Sequence, residues 1–523
     1  MFGPASTLSL GSSGSSRTGT YSNLAVNALP QYDLASVLAA AGETAAPAPR
    51  QMQAQEQAAL QIAAGLIDYG YYDEANAVLD DLLEKYPTSA RGVHARGVIE
   101  LQQRDYKAAE RHFNQAHYLD STLGYDEDAQ VAHHLQGSDE EAMLVAQRLV
   151  NDPNSRQTGV QLLVGLSQRS PLNTDARILL AESLLQQSDA VNGLAQYRLA
   201  IITGDDEQLG RIEQRMGELV KIAPQSAYIR RLLGQTELRL GKHEQAARTL
   251  GLASELSDGD IRYRAEEAPA HVALGYDKLH AGDISGAFTS FNHARDLDYT
   301  SPEVRLGLAE AYIARGEMYT RQNNNTSALG DFQIASNKLT DGDDEALRQR
   351  LARAAFTVGL LQETRNRASG AQVGDEAVAY RIALKMDPDN ITYRSKYATV
   401  KNLAGDQFLA AENYKDAAYA YQCAYELYSN NQTYRDNTIN TFTLYGDREM
   451  ERLQYDDAIA AYESAYDISG ADEQRLKLGT AYNARGLRYL GNGEMAKARA
   501  DFLAARRYDP SNTEYEDNYN SVP

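Results

Sequence analysis

Two pairs of histidines in this sequence raise the question of a metal site. His133 and His134 are adjacent, and adjacent side chains on a helix point about 100° apart, so these two are poorly placed to share one ion. His112 and His117 are five residues apart, which is also a poor fit to one shared face of a helix. Neither pair therefore predicts a metal site.

The remaining candidates for chemistry are one thiol and a run of carboxylates. Cys423 is the only cysteine, which excludes an internal disulfide and a site built from several thiolates, and we expect a buried structural thiol. Asp341, Asp343, Asp344 and Glu345 lack the spacing of a calcium loop and favour a helix N-terminus instead. The sequence has no phosphate-binding glycine loop, His-Glu-x-x-His or Cys-x-x-Cys motif. We therefore predict no catalytic residue, no metal and no cofactor.

Small and aromatic residues recur along the chain in one fixed phrase. In its clearest copy, Gly486 is followed by Ala498, Phe502 and Ala505, at separations of 12, 4 and 3 residues. About 3.6 residues per turn place the last three on one face of a helix. Internal repeats of this kind predict stacked units in place of one large core. Further copies begin at Gly446, Gly405, Gly316, Gly275 and Gly234, and weaker ones at Ala63, Gly97 and Ala181.

Each copy of the phrase predicts two antiparallel helices. The glycine is placed on the first helix, at the point where the second helix crosses it, because only a very small side chain lets two helix axes approach to about 8 Å. The Ala-aromatic-Ala face forms the seam of the second helix. Turn, stop and capping residues separate the helices: Gly241, Gly282, Gly493, Pro388, Asn390, Pro510 and Asn512. We therefore predict an all-α fold, an α-solenoid of about ten stacked helix pairs.

With these residues, the chain resembles the tetratricopeptide repeat family, whose unit is a helix-turn-helix of about 34 residues. The resemblance covers about residues 55–518. The spacing from Ala63 to Gly97 is 34 residues, whereas Gly405 to Gly446 is 41. We expect the difference of seven residues, about two helical turns, to lengthen the first helix or its entry.

The pattern also predicts how the chain is divided. Residues 1–50 are rich in Ser, Gly, Ala and Thr, which is typical of a flexible arm. The alternative is an arm that orders on a partner, with Leu24, Leu29, Tyr32, Leu34 and Val37 as anchors. The arm is followed by N-terminal repeats at 51–123, irregular helical repeats at 124–225, longer-period repeats at 226–345, C-terminal repeats at 346–518 and a tail at 519–523.

The charge of the chain restricts its partners. Its 523 residues carry 72 acidic and 51 basic side chains, for a formal net charge of −21. This charge opposes binding to nucleic acid, which we do not expect as a partner. No window approaches the roughly 18 consecutive apolar residues of a membrane helix. The start of the sequence lacks the features of a secretory signal, which favours a cytoplasmic location, while the periplasm and the exterior of the cell stay open.

The resemblance implies where partners would bind. Repeats of this family generally bind extended peptides or partner helices on the concave surface formed by their first helices. Residues six and three before each glycine, and one and four after it, are expected to face that groove. The alternative is that these side chains are merely solvated. The candidates are Tyr228, Arg231, Gln235, Asn402, Asp406, Asn440, Asp447 and Asn483.

Two further features bear on binding. The family's groove for a C-terminal carboxylate needs basic and Asn residues, but the corresponding face of the first repeat carries Leu60 and Ala64, so that specificity is not predicted.

Tyrosines crowd the predicted helix that contains Tyr421, the aromatic of the phrase. The others, which are Tyr419, Tyr425 and Tyr428, provide either lateral packing or a docking face.

Together these observations predict a non-catalytic protein that holds other proteins. The leading hypothesis is a scaffold or adaptor of a multiprotein assembly, and the Ala-, Gln- and Arg-rich composition favours a bacterial origin. The alternative is a permanent structural subunit of a large or self-assembling complex, including a homo-oligomer, that uses the arm and the solenoid surfaces. An enzyme would need a domain that no stretch of this sequence supplies.

Overall fold

The computed structural model describes residues 50–258, 260–369 and 372–522, and every regular element within them is a helix. The predicted arm and its anchors lie outside these residues, except for Arg50, where the first helix begins. The predicted all-α α-solenoid is therefore confirmed. The chain divides into two compact units, with the boundary between Ala270 and His271. The finer segment boundaries stay a prediction.

The N-terminal unit is built from short helices. Three of its first helices, α3, α8 and α11, have 13 residues each, whereas α1 has 19. The helices are α1 (Arg50–Asp68), α2 (Tyr72–Lys85), α3 (Ala90–Gln102), α4 (Tyr106–Leu119), α5 (Tyr125–His134), α6 (Asp139–Asn151), α7 (Arg156–Arg169), α8 (Thr174–Gln186), α9 (Ala190–Thr203), α10 (Asp206–Ile222), α11 (Ala227–Arg239), α12 (His243–Leu256) and the start of α13 (Ile261–His280).

The C-terminal unit has longer first helices. Four of them, α15, α19, α21 and α23, have 20 residues each, so the longer period is accommodated in the first helix as predicted. After the end of α13 the helices are α14 (Ile284–Leu297), α15 (Pro302–Arg321), α16 (Asn325–Lys338), α17 (Glu345–Ser369), α18 (Asp375–Met386), α19 (Ile391–Ala410), α20 (Tyr414–Leu427), α21 (Gln432–Glu451), α22 (Tyr455–Ser469), α23 (Asp472–Gly491), α24 (Met495–Tyr508) and α25 (Thr513–Ser521).

Side chains of asparagine begin several of these helices. The Oδ1 atom of Asn390 accepts hydrogen bonds from the backbone N–H of Thr392, at 3.1 Å, and of Tyr393, at 3.3 Å. Asn512 accepts from the N–H of Glu514 at 3.1 Å. These bonds satisfy amide groups that have no partner inside the helix. The two predicted caps are thus present.

The glycine of the phrase lies against the aromatic ring of the second helix, and we call it the crossing glycine. A Cβ atom built on Gly405 would lie 2.6 Å from ring carbon Cε1 of Tyr421, which is closer than two carbon atoms can pack. Tyr421 is buried, and Ala417 and Ala424 beside it have no exposed surface. The crossing glycine therefore lets the aromatic ring fill the space between the two helices of a repeat.

Candidate functional site

The first helices of successive repeats contact each other at a repeated polar position. The residue directly after one crossing glycine meets the residue nine before the next, and we call this the +1/−9 contact. After Gly316, Glu317 accepts hydrogen bonds from Arg350, at 2.9 Å from Nε and 2.7 Å from Nη2. After Gly446, Asp447 accepts from Nζ of Lys477 at 2.5 Å. An acid and a cation thus join neighbouring repeats.

The tyrosine of the phrase, on the second helix of the repeat, can also bond the acid of this contact. The hydroxyl of Tyr462 donates to Oδ1 of Asp447 at 2.6 Å, so Asp447 receives both a phenol and the ammonium of Lys477. Burial, followed by the hydrogen bond to Asp447, raises the pKa of Tyr462, which keeps the hydroxyl protonated as a donor. The predicted groove residue Asp447 is therefore occupied by contacts within the protein.

An acid, a tyrosine hydroxyl and a cation also meet on α17, but there the acid lies four residues after the crossing glycine instead of one. Glu363 lies four residues after Gly359, accepts from the hydroxyl of Tyr380 at 2.6 Å and pairs with Lys396, at 3.0 Å. Burial by itself would raise the pKa of Glu363, but the hydrogen bonds from Tyr380 and Lys396 outweigh it, and the pKa is lowered. An ionised carboxylate is the favoured state in this arrangement.

The repeat crossed at Gly405 departs from this pattern. Asp406 accepts from the hydroxyl of Tyr421 at 2.6 Å, but its −9 partner is Asn437 in place of a lysine or arginine. The side chain of Asn437 donates from Nδ2 to Oδ1 of Asn402 at 3.0 Å. Asn440, one turn further along α21, is exposed. This part of the structure therefore contains three of the predicted residues, Asn402 and Asp406 on α19 and Asn440 on α21.

The predicted residue nearest the C-terminus is already used within the protein. Asn483 is buried, and its Oδ1 accepts from Nδ2 of Asn518 on α25 at 2.8 Å. Its own Nδ2 lies 3.4 Å from a carboxylate oxygen of Glu514. The last helix thus occupies the position at which a partner was predicted to bind Asn483.

The candidates of the N-terminal unit form a separate cluster on α11. Arg231 donates from Nε to Glu266 at 2.6 Å, and Gln235 donates to the same carboxylate at 2.7 Å. The guanidinium also lies over the rings of Tyr228 and Tyr263, with 5.9 Å and 5.3 Å to their centres. The charge of Arg231 is therefore neutralised by a neighbouring repeat.

A groove of about 390 Å³ lies beside this cluster. Val191, on its wall, is 80% exposed, although it is apolar. Arg198 lies on the same groove. Burial raises the pKa of Tyr228, and the charge of Arg198 opposes this only in part. Within the part of the chain that the structure describes, Arg198 has no acidic partner. The groove is lined by Ala190, Val191, Leu194, Ala195, Arg198, Tyr228 and Arg231.

Sequence reasoning found the Tyr228 and Arg231 side of this groove but missed the wall on α9. That wall belongs to a second helix, whereas the prediction considered only first helices. The signal available in the sequence was Val191, two residues after the N-cap Asp189 of α9, at a position where exposed polar residues are usual. An apolar residue there is unexplained by packing within the repeat.

The histidine pairs and the cysteine do not form a common site. His112 Nδ1 lies 2.6 Å from Glu100, and His133 Nδ1 lies 3.1 Å from Glu110, so the two histidines have different carboxylate partners. Cys423 is half-buried and not fully buried as expected, and burial raises the pKa of its thiol. A neutral thiol of this kind is a poor nucleophile.

Within the tyrosine-rich helix α20, one ring is available for contact. Tyr419 is 54% exposed and meets Phe442 edge-on, with 5.7 Å between ring centres. Tyr428 donates to the backbone oxygen of Ile391 at 3.1 Å. The tyrosines are therefore divided between packing and exposure, and they do not form one continuous exposed surface.

Comparison with known proteins identifies the repeat type. Residues 65–122 match the tetratricopeptide repeat family model, and this stretch contains the end of α1 together with α2, α3 and α4. Over these residues the comparison confirms the resemblance to the tetratricopeptide repeat family that was predicted from the sequence. Such repeats generally mediate protein–protein interaction and are typically non-catalytic. The search of curated proteins found no match.

Solved structures align with this chain over long stretches at low identity. A tetratricopeptide repeat protein from Parabacteroides merdae is 15% identical, covering 57% of this chain and 98% of that one, with a TM-score of 0.21. The C-terminal part of a repeat protein from Cytophaga hutchinsonii is 11% identical over 56% and 98%, with a TM-score of 0.22. The Cut9–Hcn1 hetero-tetramer of the APC/C is 14% identical over 90% and 84%, with a TM-score of 0.20. TM-scores this low support no argument about this chain.

Among the helices that the structure describes, none combines the length and the apolar character that crossing a bilayer requires.

Proposed function

We propose that this protein is a non-catalytic scaffold or adaptor of a bacterial multiprotein assembly, which binds peptide segments or helices of its partners in a groove. The observation that carries the proposal is the groove between α9 and α11. It combines an exposed apolar wall, an aromatic ring and an arginine without an acidic partner among the described residues.

Chemical complementarity supports a polypeptide as the ligand of this groove. Val191 and Leu194 offer apolar surface, Tyr228 combines a large contact area with a polar tip, and Arg198 offers a charge. Interfaces between proteins favour this combination of apolar, aromatic and arginine side chains. The repeat type supports the same conclusion, because stacked helix pairs present extended surfaces of this kind.

Site-specific photocrosslinking tests the proposal. A benzoylphenylalanine residue at Val191 places a crosslinker on the groove wall, and the same residue at Leu172 is the matched control. Both positions are apolar and exposed, at 80% and 73%, but only Val191 lines the groove. In lysate of the organism that makes the protein, we expect discrete adducts at Val191 and none at Leu172. Equal labelling at both positions would contradict groove binding.

The identity of the adduct separates the two hypotheses about assembly. Adducts with other proteins support a scaffold or adaptor. Adducts with a second copy of this chain support the alternative, a permanent subunit of a self-assembling complex. Size-exclusion chromatography with light scattering checks the second outcome, since a monomer would contradict it. The cytoplasmic location stays a prediction from the sequence.

A further inference from the structure

We infer that Asp406 is a binding site for a lysine or arginine side chain of a partner peptide, which supplies the cation missing from its +1/−9 contact. The inference rests on the proposed function and adds to it the chemistry of the partner. It concerns the C-terminal unit only and is independent of the groove beside α9.

A cation recurs at the −9 position of this contact in the C-terminal unit. In this unit, Arg350, Lys396 and Lys477 each lie nine residues before a crossing glycine, and each pairs with an acid of the preceding repeat. Asn437 occupies the same position before Gly446. At this contact the acid, Asp406, is present and the cation is absent.

Asp406 has fewer partners and more exposure to solvent than Asp447. Its one hydrogen bond among the described residues comes from Tyr421, whereas Asp447 receives a tyrosine and a lysine. Asp406 is exposed and Asp447 is half-buried. A carboxylate oriented by a phenol and open to solvent on its other side is prepared to accept a charge-assisted hydrogen bond.

The amides beside Asp406 determine the kind of ligand. Asn402 and Asn437 are bonded to each other across the two helices, and Asn440 is exposed on the same helix as Asn437. Amide groups can donate to and accept from a peptide backbone without requiring one sequence. An extended peptide with one basic side chain therefore matches the site, and a partner with positive charge complements a chain whose net charge is −21.

The test uses a phage-displayed library of random dodecapeptides, selected on the full chain. On the natural sequence we expect enriched peptides that share a lysine or arginine at one fixed position. Asp406→Asn removes the acceptor charge, and Asn437→Lys provides an internal cation as at Lys477. Both variants should lose that enrichment, and selected peptides should bind them about three- to tenfold more weakly.

Two controls make the result decisive. Glu317→Gln alters an acid that is already paired with Arg350, and it should leave the position-specific enrichment unchanged. Asn437→Lys should unfold at the same or a higher urea concentration, since it adds a pair within the protein, so its loss of binding does not reflect misfolding.

The outcomes also separate this inference from the proposed function. Enriched peptides without a conserved basic position would overturn the role of Asp406 while leaving peptide binding intact. Retention of the basic position in both Asp406→Asn and Asn437→Lys would have the same effect. A failure of all peptides to enrich would count against both proposals.

Discussion

The repeats crossed at Gly446 and at Gly405 share their internal packing but differ in how they meet the next repeat. In both, a tyrosine ring lies against the glycine and its hydroxyl bonds an aspartate. The aspartate of the first repeat then pairs with Lys477, whereas in the second repeat the equivalent position is Asn437, which bonds Asn402. Packing within a repeat is thus constant, while the polar contact between repeats varies. A varied position on a constant framework is where a specific partner can be recognised.

Substitution of the crossing glycines should have the largest effect and should affect both repeats alike. We expect Gly405→Ala and Gly446→Ala each to lower the free energy of unfolding by about 1–3 kcal/mol, because the added methyl overlaps the tyrosine ring. Urea denaturation followed by circular dichroism measures the change. Gly330→Ala is the control, since open space surrounds Gly330 on α16, and it should be neutral or slightly stabilising. Equal effects at all three positions would show that the overlap is unimportant.

The paired acids should make stability depend on pH. The folded-state pKa of Glu363 is lowered, so its stabilising contribution is present above the unfolded pKa of about 4.3 and is lost as the pH falls through the folded value. We expect Glu363→Gln to be less stable than the natural chain at pH 7, by about 1 kcal/mol, and the difference to shrink below about pH 4. Urea midpoints measured from pH 7 to pH 3 check this. A difference that stays constant with pH would exclude titration of Glu363 as the cause.

Removing the charge of each aspartate should distinguish the two repeats directly. Asp447→Asn breaks an ion pair with Lys477, and since both side chains are partly exposed we expect a cost of only about 0.5–1 kcal/mol. Asp406→Asn removes no ion pair and can still accept from Tyr421, so its cost should be below about 0.5 kcal/mol. Hydrogen exchange at α21 and α23 localises the effect. A larger loss for Asp406→Asn would mean that an internal cation partner exists in solution.

The turns that join the helices of a repeat should give the smallest effect. Leu453 has a φ of +59°, which disfavours a leucine, while the equivalent turn after α23 uses Gly493 at +79°. We expect Leu453→Gly to change stability by less than about 1 kcal/mol, toward stabilisation, because relief of strain exceeds the added freedom of the unfolded chain. Gly493→Ala should change it in the opposite direction. Thermal unfolding of the two variants provides the comparison.

The helix pairs were predictable because their signal is local. A crossing glycine and its aromatic ring are usually 16 residues apart, as in Gly446 and Tyr462, and a helix-turn-helix brings these two positions together regardless of the rest of the fold. Gly359 was missed because its spacing to the aromatic ring differs from this value. Its ring, Tyr380, is 21 residues away, so the longer connection hid the phrase even though the packing is the same.

The candidate site was predicted only in part. Counting from the glycine found Asp406, Asn402 and Asn440, but it also selected Asp447 and Asn483, whose side chains are used by the neighbouring repeat and by the last helix. It missed Asn437 and Arg198 altogether. Spacing identifies which residues lie on a helix face, but it does not identify which of them already have a partner.

The sequence by itself determined the helices, their pairing and the acidic charge of the chain, because each depends on neighbours within one repeat or on composition alone. The tertiary structure decided which polar groups are satisfied. The +1/−9 contact joins residues on different repeats, such as Asp447 and Lys477, and whether they meet depends on the rotation between stacked helix pairs. That rotation results from packing over the whole of each interface. Only the structure therefore shows that the carboxylate of Asp406 bonds Tyr421 and has no cation partner among the described residues.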